Sequence, residues 1–290
     1  MPDSRSIYKA RVDAAIMYMH DHLHEKVILE DLAKTAGFSA FHFHRLFSAM
    51  IGETPQQFLI RLRLERAANM LVKYSGFSIT QIAMNCGFSS SSAFARSFKN
   101  YFRISANEYR KAEFRPEFPK LDQESAYPKE YPQLRVDIRN VPAWNLIYIS
   151  ILNGYKIELI CKGWNQLNRW AAAQSLITKE TRVLGISFDD PLITPADKCR
   201  YYACLSIPGE INPQPPIGFM RLAGSKCAVV RITCTLDEIQ GIYMYLYRDW
   251  LLDSGFQPAD LPPYEIYLST PDTNPEGKYE MEIYTPIVPL

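Results

Sequence analysis

The chain has 290 residues, 47% of them apolar and 22% charged, with a formal net charge of +1. That length can hold two or three domains with real cores, and the composition is that of an ordinary soluble globular protein. No apolar run reaches the ~18 residues of a membrane span, and the first twenty residues carry Asp3, Arg5, Lys9, Arg11 and Asp13, so neither a membrane partner nor a secretory signal is expected.

The six cysteines form no Cys-x-x-Cys pair and sit in apolar contexts, which points to reduced core thiols in a cytoplasmic protein. Charge is unevenly spread. Residues 1–113 carry 15 Lys and Arg against 10 Asp and Glu, whereas residues 114–290 carry 17 against 21. All five histidines lie in the first part. A basic front and an acidic rear suggest one module for a polyanion and another for something else.

The pattern predicts a first helix over 6–24. His20 and His24 stand one turn apart on it, but no third ligand has a matching motif, so no metal or cofactor is expected. Residues 29–52, LEDLAKTAGFSAFHFHRLFSAMIG, read as helix, Gly-Phe-Ser turn and second helix. Gly37 suits the left-handed residue that ends the first helix, and Ser39 caps the second. Phe43, Leu46 and Phe47 face the core, leaving Phe41, His44 and Arg45 outside with Ala40 and His42. A polar-aromatic outer face on a helix held by a tight turn suits major-groove reading.

Residues 54–74 predict one uninterrupted helix. Thr54 caps it, Pro55 takes the first helical position and Gln57 completes a capping box. At ~1.5 Å per residue it spans about 30 Å, close to the ~34 Å turn of B-DNA. Residues 79–102, ITQIAMNCGFSSSSAFARSFKNYF, repeat the first motif. Gly87-Phe88-Ser89 matches Gly37-Phe38-Ser39 at an offset of 50, and Phe94, Arg96 and Phe98 match Phe43, Arg45 and Phe47 at 51. The second turn therefore carries one extra residue. The outward positions are Ser91, Ser92, Ala95 and Arg96, with Lys99, Asn100 and Arg103 available for phosphate.

These residues, with RLRLERAANML and EYR at 108–110, resemble the DNA-binding domain of AraC/XylS-type transcription activators over about residues 5–112. The similarity is closest to the monomeric stress-response branch containing MarA, SoxS and Rob. It implies a monomer placing two recognition helices in successive major grooves of double-stranded DNA, in contact with RNA polymerase. By position, the base readers are Phe41, His44 and Arg45 in one helix and Ser91, Ser92, Ala95 and Arg96 in the other, with Lys99 on phosphate. Arg103 and Ala106 stand where relatives usually have Gly and Pro, and Ser91 and Ser92 replace longer amides.

Residues 114–133 hold four prolines among charges and predict a linker. From 134 onward strands and helices alternate, and the order repeats at an offset of 80: Glu158 with Glu238, Trp170 with Trp250, Ile186 with Ile266, Pro191 with Pro271. The expected fold is multidomain. An all-α domain, 1–113, carries two helix-turn-helix motifs joined by a long helix. An α+β domain, 134–290, is a duplicated β-α-β-β unit. A cleft between its halves would be lined by Trp144, Tyr148, Trp164, Phe219, Tyr267 and Tyr284. Glu265 breaks the duplication, since its counterpart is Gly185. A mid-strand acid beside aromatic rings suits a cation.

The duplication and the ending PPYEIYLST…EMEIYTPI resemble the gyrase-inhibitor-like small-molecule-binding domain of multidrug-sensing regulators. That similarity implies a small-molecule effector held by Glu265, with Tyr267 beside it. The expected protein is a ligand-responsive, non-enzymatic transcription regulator of the cytoplasm, associated with the nucleoid. Two rivals stand beside it: a hydrolase using a water activated by Glu265, and an architectural DNA binder whose rear half docks on another protein. With no histidine past residue 44, a Ser-His-Asp or Cys-His arrangement within the rear half is excluded.

Overall fold

The structure is a computed structural model and describes residues 4–74, 76–111, 134–152, 154–191 and 193–290. The linker expected over 114–133 lies outside the described residues. The chain divides into two compact units, Met1–Phe118 and Pro119–Leu290.

The front unit is helical: α1 Ser4–Asp21, α2 Leu29–Ala36, α3 Ala40–Ile51, α4 Pro55–Lys73, α5 Ile79–Asn85, α6 Ser91–Phe102 and α7 Ala106–Lys111. The two turns share their hydrogen bonds as well as their sequence. Gly37 N donates to Lys34 O and Phe38 N to Ala33 O; Gly87 N donates to Met84 O and Phe88 N to Ala83 O. Both glycines are left-handed, with φ of 69° and 77°. The extra residue of the second turn shifts its cap. Ser39 accepts from His42 N, and Ser90 from Ala93 N, an offset of 51. Thr54 and Gln57 form the reciprocal box at the start of α4, and Ser78 and Gln81 do the same for α5. Phe43, Phe47 and Phe58 close one small core, and Phe94, Phe98, Phe102 and Tyr109 the other.

The rear unit is an antiparallel sheet with helices. Its strands are β1 Val136–Val141, β2 Trp144–Ile151, β3 Val183–Ser187, β4 Tyr201–Ile207, β5 Gly218–Leu222, β6 Ser225–Cys234, β7 Phe256–Pro258, β8 Tyr264–Ser269 and β9 Tyr279–Pro289. They lie in the order β1-β6-β9-β8-β3-β4-β2-β5, with β7 on β9. Exchanging β1 with β5, β2 with β6, β3 with β8 and β4 with β9 makes this order read the same backwards. The pair at its centre is β3 and β8.

Register threads one row of residues across the sheet: Ile149, Ala203, Gly185, Glu265, Ile283 and Val230 are successive partners. Helix α8, Ile157–Ala173, packs Leu167 and Ala171 on one end of this row. The second helical segment packs Ile242 and Leu246 on the other. Both helices thus share a face of the sheet, and Glu265 lies between them. The second segment is not one continuous α-helix. A 3-10 turn, Leu236–Glu238, leads into α9, Ile239–Tyr245; a π-helical turn, Leu246–Trp250, follows, then α10, Leu251–Asp253. Such widened turns insert one residue and re-aim the side chains beside them.

The C-cap positions of α3 and α6 differ in one respect. Gly52 is left-handed at φ 80°, and its counterpart Arg103 is left-handed at φ 65°. A side chain there brings Cβ against the following carbonyl, a cost Gly lacks. Arg103→Gly is therefore expected to stabilise the front unit by about 1 kcal/mol. Urea denaturation of the variant checks this, and an unchanged or lower midpoint counts against it.

Candidate DNA interface and ligand site

Each expected base reader lies on the outer face of its helix. On α3, Phe41, His44 and Arg45 are exposed while Phe43 and Phe47 are buried. Phe41 is 64% exposed, with the Arg45 guanidinium over its ring at 5.5 Å, so each side chain restricts the other. On α6, Ser91, Ser92, Ala95, Arg96 and Lys99 are exposed, and Phe94, Phe98 and Phe102 are buried. The two faces differ in chemistry. The first offers a guanidinium, an imidazole and a ring; the second offers short side chains and one guanidinium, with Lys99 a turn further on.

The rear site is built around Glu265. Its carboxylate lies on the helix face of the sheet, and the residue is 3% exposed. The Tyr243 hydroxyl, reaching from α9, donates to Oε1 at 2.6 Å, the length of a charge-assisted bond. Oε2 is buried and has no hydrogen-bond partner among the described residues. Burial drives the carboxyl pKa up to about 7, against the lowering effect of hydrogen bonds from Tyr243 and from the residue's own backbone.

Aromatic groups ring this carboxylate. Tyr201 and Tyr267 hydroxyls are 3.3 Å apart, and Trp164 of α8 stands edge-on to Tyr267 at 6.1 Å. Trp164 also hydrogen-bonds Tyr201. Tyr155 donates to Asp189 O at 2.5 Å and packs edge-on to Tyr201 at 6.4 Å. The Glu265 charge helps burial to raise the pKa values of Tyr155, Tyr201, Tyr243 and Tyr267. Gly185 is what lets Tyr201 reach this far, because a Cβ at Gly185 would collide with the Tyr201 hydroxyl.

Of the residues expected to share the effector site, the structure unites Glu265, Tyr267 and Trp164 and separates Trp144, Tyr148 and Tyr284 from them. Opposed residues of antiparallel strands share a face, and alternate residues change face. Tyr148, Cys204, Leu184, Ile266 and Glu282 are successive partners, a row one residue out of phase with Glu265. Tyr148 is therefore on the opposite face, stacked on Tyr202 with centroids 4.8 Å apart. Tyr284 and Trp144 are there too. Tyr284 stacks on Tyr264 at 4.9 Å, and Trp144 meets both edge-on at 6.0 and 6.5 Å. Phe219 pairs with Ile147, in phase with Ile149, and packs against the α8 core.

Tyr155, Tyr201 and Tyr243 escaped the sequence reading. One signal pointed to Tyr243: it lies four residues after Ile239 and three before Leu246, on the apolar stripe of the helix. Its counterpart at the offset of 80 is Gly163, as that of Glu265 is Gly185. The carboxylate and its donor in one half thus correspond to two glycines in the other.

Known proteins resemble both parts. Residues 135–288 match the family model described as a GyrI-like small molecule binding domain, and residues 32–112 match a helix-turn-helix domain model. YbfP of Bacillus subtilis, an uncharacterized HTH-type transcriptional regulator, is 35% identical over 103 residues, 36% of this chain and 35% of that protein. The HTH-type transcriptional activator RhaS of Escherichia fergusonii is 38% identical over 101 residues, 35% of this chain and 36% of its own. The chain spans about a third of the length of these curated relatives. A crystal structure of a transcriptional regulator with an AraC-type DNA-binding domain, from Chromobacterium violaceum, is 32% identical; the match covers 37% of this chain and 95% of that one, with a TM-score of 0.34. The chain belongs to the GyrI-like small-molecule-binding family and carries an AraC-type helix-turn-helix domain beside it.

Proposed function

We propose that this protein is a one-component transcription regulator that binds double-stranded DNA through α3 and α6 and senses a flat or amphiphilic cation through Glu265. The observation that carries the sensing half is the buried carboxylate with one unpartnered oxygen inside a ring of tyrosines. A desolvated charge with one oxygen unpartnered gains most from a cation that also covers the rings. A compact, strongly hydrated cation gains less, since it gives up more water for fewer ring contacts.

The proposed ring contacts are Tyr155, Tyr201, Tyr243, Tyr267 and Trp164, a set that leaves out Trp144, Tyr148 and Tyr284. The palindromic strand order, together with the offset of 80, supports a rear domain built by duplication. In the front domain, α4 has the length to hold α3 and α6 at successive major grooves, as a monomer on the DNA. A regulator of this kind works on the nucleoid in the cytoplasm and meets RNA polymerase there. One observation favours a hydrolytic reading instead: a carboxyl pKa near 7 suits a general base. Turnover of bound ligand by the purified protein would establish it; ligand recovered unchanged supports the sensor.

Two sets of variants test the proposal. On DNA, Arg45→Ala is expected to cost about 1–3 kcal/mol and to relax choice at one base pair. Lys99→Ala should weaken all sequences alike and flatten the salt dependence. Equal losses of specificity from both, measured by binding to a base-pair-scanned site, would remove the assignment.

In the rear domain, Glu265→Gln is expected to weaken aromatic cations by at least about tenfold and to spare neutral analogues of the same shape. The pH dependence has a definite sign. The folded carboxyl titrates near 7, above its ordinary value of 4.5, so folding favours the protonated form. Its stabilising effect is complete below pH 4.5 and is lost as pH rises through 7, a swing of about 3 kcal/mol. Without ligand, Glu265→Gln should therefore melt higher than the parent at pH 8 and nearly level with it at pH 4.5. Cation affinity should climb up to pH 7 and level above it. Calorimetry and thermal melts at three pH values read both, and a pH-independent affinity contradicts the site.

A further inference from the structure

Four polar side chains make one hydrogen-bonded chain through the front domain, buried at its middle and half-buried at its ends. Arg61 and Glu65, a turn apart on α4, are 4% and 5% exposed. The Arg61 guanidinium donates from Nε and Nη2 to Glu53 Oε1 at 2.9 and 2.8 Å. Its Nη1 donates to both Glu65 oxygens at 3.2 and 3.3 Å. Glu65 Oε1 also accepts from the Tyr101 hydroxyl at 2.8 Å. Glu53 lies in the turn after α3, and Tyr101 in the last turn of α6. The chain thus runs from the end of one outward-facing helix, across α4, to the end of the other.

Stability does not account for such a chain. Buried ion pairs return roughly what their desolvation costs, and apolar side chains of the same volume often do better. What a hydrogen-bonded chain does better than apolar packing is fix distance and direction. The second helix-turn-helix motif is tied to the rest of the domain at its turn as well. Gly87 sits against the Leu23 carbonyl so closely that a Cβ would collide with it. Arg63 of α4 holds the same stretch, donating to Leu23 O at 2.9 Å and Glu25 O at 2.6 Å. The aromatic core holds the buried face of α6 by shape, and the Tyr101 hydrogen bond at its far end adds a directional tie to α4.

We propose that Glu53, Arg61, Glu65 and Tyr101 are positioning residues that set the separation and twist between α3 and α6, and so the spacing of the two DNA half-sites the protein accepts. This rests on the reading of the front domain as a two-groove DNA binder. The recognition residues supply contacts with bases; the hydrogen-bonded chain supplies the intolerance of wrong spacing.

The test is to select DNA sites from a random library with the full chain, then measure affinity for the best site with one base pair inserted between its halves. The insertion moves the halves apart by about 3.4 Å and turns them by about 35°. The parent protein is expected to lose at least about tenfold on that change. Tyr101→Phe and Glu53→Gln break the chain at opposite ends. Each should bind the original site within about threefold of the parent and lose less than about threefold on insertion. Variants that keep the parent's spacing penalty, or that lose affinity equally at every spacing, would show the chain to be merely structural and overturn the proposal. A parent that selects only a single half-site overturns the two-groove reading, and the proposal with it; that outcome is visible before any variant is made.

Discussion

The pairing of β3 with β8 is the seam on which the rear domain depends. Four opposed pairs, from Val183 with Tyr267 to Ile186 with Tyr264, join the two halves of the sheet. The register sets Glu265 against Gly185, on the face that carries both helices. A slip of one residue would turn the carboxylate to the other face, towards Tyr284 and Trp144, and away from Tyr243. Opposite a larger residue than Gly185, the ring of Tyr201 would lose its path to Tyr267.

The two halves of this sheet contribute different groups to the site. One supplies Glu265 and Tyr243; the other has Gly185 and Gly163 at the corresponding places and supplies Tyr201 and Trp164. Gly163 brings α8 down onto Ile149 and Ile151, and Gly185 opens the sheet surface to a ring from the next strand. A symmetric sheet therefore carries an asymmetric site. Burying the carboxylate with one oxygen unpartnered sacrifices about 3 kcal/mol of a total stability that is rarely above ~15.

The front domain treats its buried charges differently. Arg61 has carboxylates on both sides, and Glu65 accepts from Tyr101 as well. Where Glu265 is left with an open valence, this chain joins acid to base to phenol across three elements. A satisfied network rigidifies, and a half-satisfied one leaves a costly buried polar atom without its full set of partners. Both are buried polar groups in strongly apolar surroundings, and what separates them is the count of partners.

Much of the front domain was legible because its signals are local. Gly37 and Gly87 end helices, Ser39 starts one, and the change of offset from 50 to 51 marks the extra residue of the second turn. Glu265 stood out for a similar reason, as a charge where the repeat has glycine. Which aromatic groups surround it was decided only by tertiary structure. Leu146 to Ile151 are buried on both faces of β2, so no alternation of polar and apolar residues marks which face Tyr148 takes. Tyr201, Tyr243 and Tyr155 reach the site from 64, 22 and 110 residues away in the chain, by strand register and helix packing that no local pattern encodes. Tyr101 and Glu65, 36 residues apart, meet for the same reason. Caps and turns depend on neighbours within a few residues, whereas a side chain's face and partners depend on which distant strand or helix lies beside it.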